Sequence, residues 1–211
     1  DKHQDWGGQG WAETPANYDE DAKLILDLGV TAIRLAHYPQ SDYWHDLCDR
    51  NGLLLWNEVS NVNYISDSPA FEANSEQQLR ELILQRYNHP SAVIWGLFNE
   101  LDNQKGPDPT PLISHLKSVV QELDSTRIIV GAADHYGKAY NQVPDHTAYN
   151  IYPGWYGPFG ELPKSLDRAS KDFGGKRIGI SEYGAGSNPM QHEEGTLVQP
   201  KPKGPYHPEE W

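Results

Sequence analysis

Short apolar, β-branched runs alternate with amphipathic stretches at least six strands long, which predicts parallel βα units, and nearly every run ends on a polar or ionisable residue, which selects a (β/α)8 TIM barrel among α/β folds. The strand ends carry Arg34 and His37, Glu58, Asn99 and Glu100, Asp134 and His135, Asn150 and Tyr152, and Glu182. An open doubly wound sheet gathers its site at one switch point and often carries a glycine-rich phosphate loop there; the sequence has no such loop. Six strands do not close an eight-stranded barrel. Residues 1–211 are therefore expected to be the central part of a single barrel domain, an incomplete segment lacking most of strand 1 and all of strand 8.

Composition narrows the partners. The 211 residues suffice for one buried core. With 17 basic against 30 acidic residues the formal charge is -13, and no Lys/Arg cluster offsets it locally. No nucleic acid and no anionic membrane surface is expected as a partner. No apolar segment approaches the roughly 18–20 residues of a membrane span. The single cysteine, Cys48, excludes an internal disulfide and a cysteine-built metal site, and it fits the apolar face of a helix as packing. The chain begins Asp1-Lys-His without a methionine and reaches Trp211 in what resembles the start of a helix, so a piece of a longer protein is expected.

In chain order, residues 1–16 read as a glycine-rich, aromatic loop. Asn17 with Glu20 resembles a capping box for a helix over 18–28, with Ala22, Ile25 and Leu28 at helical spacing and Gly29 as the stop. Residues 30–35 are a strand by composition, followed by the turn Ala36-His37-Tyr38-Pro39. Ser41 opens a helix with Trp44, Leu47 and Cys48 on one face, closed by Asn51-Gly52. Residues 53–56 form the next strand, tipped by Asn57 and Glu58. A loop over 60–74 leads to Ser75 and Gln78, a second capping-box pair, and a helix with the stripe Leu79, Leu82, Ile83 and Tyr87. Pro90 disfavours helix at His89, so Ala92–Phe98 is a buried strand ending at Asn99 and Glu100. After a loop from Asp102 to Pro111, a helix over 112–123 leads into a strand at 127–130. The next segment is too short and polar for a confident helix before the strand at 147–151. A helix over 162–173 and a strand at 177–181 complete the alternation, and beyond Gly186 a proline-rich stretch has no periodicity.

Glycosidic bond hydrolysis needs an acid to protonate the departing oxygen and a carboxylate close to the anomeric carbon. Glu100 and Glu182, each following a buried strand, are the natural pair, and Asn99 suits hydrogen bonding to a sugar hydroxyl. A surface carboxylate after a strand is the ordinary alternative for either alone.

Arg34-Leu-Ala-His-Tyr-Pro39, Asn88-His-Pro-Ser with Trp95 and Asn99-Glu100, Asn150-Ile-Tyr-Pro-Gly-Trp-Tyr156 and Ile180-Ser-Glu-Tyr-Gly-Ala-Gly186 together resemble the catalytic barrel of family 2 glycoside hydrolases, over His3 to about Gly186. The resemblance implies a retaining mechanism with Glu100 as general acid/base and Glu182 as nucleophile, their carboxyls ~5–5.5 Å apart. It further implies that Tyr152 hydrogen-bonds the nucleophile, that His3, His37 and Asn99 line the sugar pocket, and that Arg34 steadies Glu182 as a charge partner. Glu58 is either a pocket residue or a buried carboxylate held by such an arginine. Trp155 and Tyr156 offer faces for a pyranose ring or are plain packing. Two features depart from the family. The loop Glu58-Val-Ser-Asn-Val-Asn-Tyr64 lacks the Glu and His that hold magnesium in some members, so no metal and no other cofactor is expected. Ala185 stands where some galactosidases have His.

The expectation from these motifs is an exo-acting β-galactosidase on a carbohydrate substrate, with a β-glucuronidase as nearest rival and a non-catalytic sugar-binding fragment as the alternative from another class. The remainder of a parent chain, or a homo-oligomer partner, is expected to complete the barrel.

Overall fold

Strand and helix alternate in the computed structural model, which describes residues 1–101, 106–174 and 178–211. The elements are α1 (Pro15–Asp27), β1 (Ala32–Leu35), α2 (Asp42–Asn51), β2 (Leu54–Glu58), α3 (Pro69–Arg86), β3 (Ala92–Asn99), α4 (Thr110–Leu123), β4 (Ile128–Ala133), β5 (His146–Asn150), α5 (Leu162–Asp172) and β6 (Gly179–Glu182). Short 3-10 turns occupy Ala139–Gln142 and Phe159–Glu161. The chain divides into two units, Asp1–Thr147 and Ala148–Trp211. In the first, β1 to β4 are neighbours in chain order and all pair in parallel. In the second, the end of β5 pairs in parallel with β6, Asn150 opposite Glu182. Lys2 makes a parallel bridge to Leu35, which places the chain ahead of α1 beside β1. This is the succession of an incomplete TIM barrel.

The core of the first unit explains its sequence. Parallel strands covered on both faces are continuous apolar runs, and Trp95, Leu97 and Phe98 of β3 are all fully buried. Tyr18 and Ala22 of α1, Trp44, Leu47 and Cys48 of α2, and Ile33, Leu35, Leu53 and Leu55 form one cluster. Each large side chain there contributes about 1.5–3 kcal/mol by leaving water. Burial pushes the Cys48 thiol up to about 12, so it packs as a small apolar group. Helix α2 starts where Ser41 accepts the Tyr43 N–H and stops at Gly52, whose φ of 69° is the left-handed cap that glycine adopts without strain.

Two helices begin earlier than their sequence signals suggest. Helix α1 is capped at Thr14, with Pro15 at the first position, where its missing N–H costs nothing. Asn17 is the third residue of that turn, and its side-chain oxygen accepts from the Thr14 N–H at 2.8 Å. Helix α3 begins at Pro69 behind Ser68, which accepts the Phe71 N–H, so residues 69–74 are helix rather than loop. Ser75 is no cap: it is buried and donates to Asn61 Oδ1 at 2.9 Å, while Asn61 Nδ2 donates to the Leu97 carbonyl at 3.0 Å. In both cases a Ser/Thr-Pro start outcompetes the capping-box pattern downstream. Strand β4 continues to Ala133, beyond the expected Val130. Of the expected loop at Asp102–Pro111, residues 102–105 lie outside the described residues, as does Arg177 of the last strand, and α4 already begins at Thr110.

Candidate active site

In the first unit a buried polar cluster sits at the C-terminal ends of β1, β2 and β3. Arg34 on β1 is 5% exposed, Glu58 ending β2 is 1% and Asn99 ending β3 is 4%. Arg34 donates from Nε to Glu58 Oε2 and from Nη2 to Glu58 Oε1, each at 3.0 Å, and Nη2 also donates to Asn99 Oδ1 at 2.8 Å. His37 Nδ1 lies 3.1 Å from Glu58 Oε1 and 3.1 Å from Arg34 Nη2. Arginine can only donate, whereas the carboxylate accepts, so the pairing with Glu58 is the one that calls for a proton on Nδ1. His3 packs edge-on against His37, ring centres 5.2 Å apart.

Strand register makes this cluster. Arg34 lies opposite Trp56, and Glu58 is two residues further along the same face, so guanidinium and carboxylate project to the same side. The guanidinium carbon is 5.0 Å from the Trp56 ring centre. Glu58 lies opposite Gly96, where a Cβ would stand 2.3 Å from Trp56 Nε1 and 2.5 Å from Glu58 Cβ. Glycine is needed there because Trp56 and Glu58 fill the space. Trp56 had no signal in the sequence beyond an apolar position; its role beneath Arg34 follows from pairing register.

Glu100 leaves β3 with a φ of 52°, in the left-handed region. A non-glycine residue pays roughly 1–2 kcal/mol for that conformation. The surrounding backbone holds it: Asn99 N–H donates to Asn61 O at 2.9 Å, Asn63 N–H to Asn99 O at 3.0 Å, and Glu100 N–H to Ala132 O at 2.8 Å. Strain of this kind concentrates where a side chain must be aimed.

In the second unit the Tyr152 hydroxyl donates to Glu182 Oε2. Ser181 donates to Asn150 Oδ1 at 2.6 Å, and Ile151 N–H donates to the Glu182 carbonyl at 2.8 Å, tying the two strand ends together. The Tyr152 ring meets Tyr156 edge-on at 5.3 Å, and Tyr156 meets Trp155 at 6.1 Å. Gln199 Nε2 donates to the Trp155 carbonyl at 3.3 Å and to the Gly157 carbonyl at 3.0 Å. A Cβ on Gly186 would come 3.2 Å from the Trp155 ring.

His3, His37, Arg34, Glu58 and Asn99 are thus brought together in the first unit, with Glu100 next along β3, and Tyr152, Glu182 and the Trp155 loop are brought together in the second. The arginine expected to steady Glu182 has Glu58 as its bidentate partner, and Glu58 is the buried, arginine-held carboxylate of its two readings. Among the described residues, Asp46, Asp49 and His89 hold ligand atoms within 4.8 Å of one another, as do His192, Glu209 and Glu210. Asp49 is already used as a turn clamp, accepting from Ser91 N–H at 2.9 Å and facing His89 Nδ1 at 2.7 Å. Burial works against its charge, but these hydrogen bonds hold its carboxyl below the usual range.

Parallel βα units with ionisable groups gathered at the strand C-termini define the class of TIM-barrel enzymes, in which that end of the strands carries the chemistry. Residues 1–201 match the model of the TIM barrel domain of glycosyl hydrolases family 2, and the chain belongs to that family. A β-glucuronidase of Bacteroides fragilis is 42% identical over 100% of this chain and 31% of its own length. A β-galactosidase of Thermoanaerobacterium thermosulfurigenes is 32% identical over 60% of this chain and 17% of its own. The structure of Bacteroides uniformis β-glucuronidase 2, covalently bound to cyclophellitol-6-carboxylate aziridine, superposes with a TM-score of 0.85 at 31% identity, covering 92% of this chain and 25% of that one. The chain thus spans less than a third of the length of these relatives.

Proposed function

We propose that the full-length protein is a retaining, exo-acting β-glycosidase whose substrates are β-glucuronides. The observation that carries the chemistry is the hydrogen bond from Tyr152 to Glu182, since a phenol donating to a carboxylate favours its ionised, attacking form. Glu182 attacks the anomeric carbon while the Glu100 carboxylic acid protonates the departing glycosidic oxygen, leaving a glycosyl ester and a free alcohol. The Glu100 carboxylate then takes a proton from water, whose oxygen displaces Glu182 and releases the sugar with its configuration retained. His3, His37 and Asn99 hold sugar hydroxyls, and the Arg34–Glu58 pair fixes His37 and Asn99 in place. Trp155 walls the pocket beside Tyr152.

The B. fragilis relative, matched over the whole chain, supports the glucuronide over the galactoside that the sequence motifs suggested. The group that recognises the sugar carboxylate, and the strands that close the barrel, come from the rest of the parent chain or from a second copy. The test is hydrolysis of matched nitrophenyl β-glucuronide and β-galactoside by the full-length protein, with Glu182→Gln and Glu100→Ala. The glucuronide is cleaved, Glu182→Gln is inactive, and Glu100→Ala is restored by azide on activated substrates. Cleavage of the galactoside alone reverses the sugar assignment. Rescue of Glu182→Gln but not Glu100→Ala reverses the carboxylate roles, and sugar binding without cleavage leaves a binding module.

A further inference from the structure

We propose that the loop ahead of α1 and the turn after β1 form a leaving-group subsite that takes a flat, apolar aryl aglycone. The proposal rests on the glycosidase reading above and adds the class of group on the far side of the cleaved bond. A cavity of about 470 Å³ lies within the first unit, lined by Gln4, Trp11, Tyr38, Pro39 and Ser60. None of these residues has a part in the acid–nucleophile chemistry.

Two of its walls join the acid/base end of the site. Tyr38 and Pro39 directly follow His37, and a chain of rings leads outward from there: His3 to His37 at 5.2 Å, His3 to Tyr38 at 6.1 Å, and Trp11 to Tyr38 at 6.0 Å. Ser60 begins the loop that clasps the tip of β3, since Asn61 O accepts from Asn99 N–H and Asn63 N–H donates to Asn99 O. The acid that protonates a glycosidic oxygen must stand beside the group that leaves with it. In this reading the cavity, one residue outward from His37 and beside the loop that clasps the end of β3, lies on the aglycone side.

The lining chooses the occupant. Gln4 is committed to the wall itself: its N–H donates to Tyr38 Oη at 3.1 Å and its Nε2 to the Trp11 carbonyl at 3.1 Å. These bonds tie the Trp11 segment to Tyr38, and the Trp11 and Tyr38 rings and Pro39 line the space together with Gln4 and Ser60. Trp11 is 74% exposed, and its ring meets solvent beside Tyr38. Ring faces of this kind, with the Gln4 amide engaged in the wall, suit a planar apolar group.

The test uses the full-length protein and its Trp11→Ala and Trp11→Phe variants. Values of kcat/KM are measured for an aryl glycoside and a fluorinated alkyl glycoside of one sugar with comparable leaving-group acidity, and binding of free phenol is followed by ligand-observed NMR. The aryl-to-alkyl preference falls about tenfold in Trp11→Ala, is largely recovered in Trp11→Phe, and phenol binding weakens in parallel. An unchanged preference, an equal loss on both glycosides, or a loss confined to the alkyl glycoside overturns the aryl subsite. If neither glycoside is cleaved by the unaltered protein while phenol still binds in a Trp11-dependent way, the glycosidase reading fails and the cavity's specificity stands.

Discussion

Replacing Glu58 by Gln tests how the candidate site is held together. The Arg34 guanidinium has both of its 3.0 Å contacts to Glu58 inside the protein, with the two side chains 4% and 1% exposed. Removing one charge from such a pair leaves the other buried without its counterion, at a cost of about 3–5 kcal/mol. Asn99 accepts one hydrogen bond from the guanidinium but carries no charge, so it offsets only a little of that loss. Replacing both partners by apolar residues removes the stranded charge along with the pair. Arg34→Met combined with Glu58→Met is therefore expected to cost well below the sum of the two single changes, with a coupling of about 2 kcal/mol or more. Urea unfolding of the full-length single and double variants measures this directly. Activity gives a second readout, because Asn99 and His37 lose their common anchor: kcat/KM falls steeply in Glu58→Gln even where the variant remains folded. A Glu58→Gln cost under about 1 kcal/mol, or strict additivity in the double variant, would refute the reasoning.

Two further changes probe backbone strain and buried charge. Because Glu100 sits at a φ of 52°, Glu100→Gly is expected to be more stable than Glu100→Ala by about 1 kcal/mol in thermal unfolding, although both lose the acid; equal stabilities would show that the strand end relaxes when the glutamate is removed. Burial holds the fully buried His45 below its ordinary pKa, against the opposing effect of its contacts to Ser41 O at 2.9 Å and the Asn57 side chain at 2.6 Å. Between the unfolded value of about 6.5 and the lower folded one, the unfolded chain binds the extra proton. Stability therefore falls on acidification below about pH 6.5, by at most about 1.4 kcal/mol per pH unit from this residue. His45→Gln is expected to flatten that slope in urea titrations taken across the window, and an unchanged slope would assign the effect to other groups.

Much of the architecture was legible without coordinates. Ser41, Gly52 and Pro90 marked element boundaries through the local backbone chemistry of caps and proline, and the apolar run before Asn99-Glu100 read as a buried strand, as it is. The starts of α1 and α3 were misjudged for a local reason too. Thr14-Pro15 and Ser68-Pro69 outcompeted capping-box patterns a few residues on, and in α3 Ser75 also finds a tertiary partner in Asn61 of the β2–α3 loop and so has no need to cap.

By itself the sequence determined the βα alternation, the placing of Glu100 just past one strand and Glu182 at the end of another, and the burial of Cys48, because these depend on spacing and side-chain polarity along the chain. Only the tertiary structure decided that Arg34 grips Glu58 rather than Glu182, that Gly96 clears room for Trp56, and that Trp11 meets Tyr38 over a cavity. Those contacts join residues on different strands or loops, and which of them meet is settled by strand register and loop path, neither of which is written in the periodicity of any one segment.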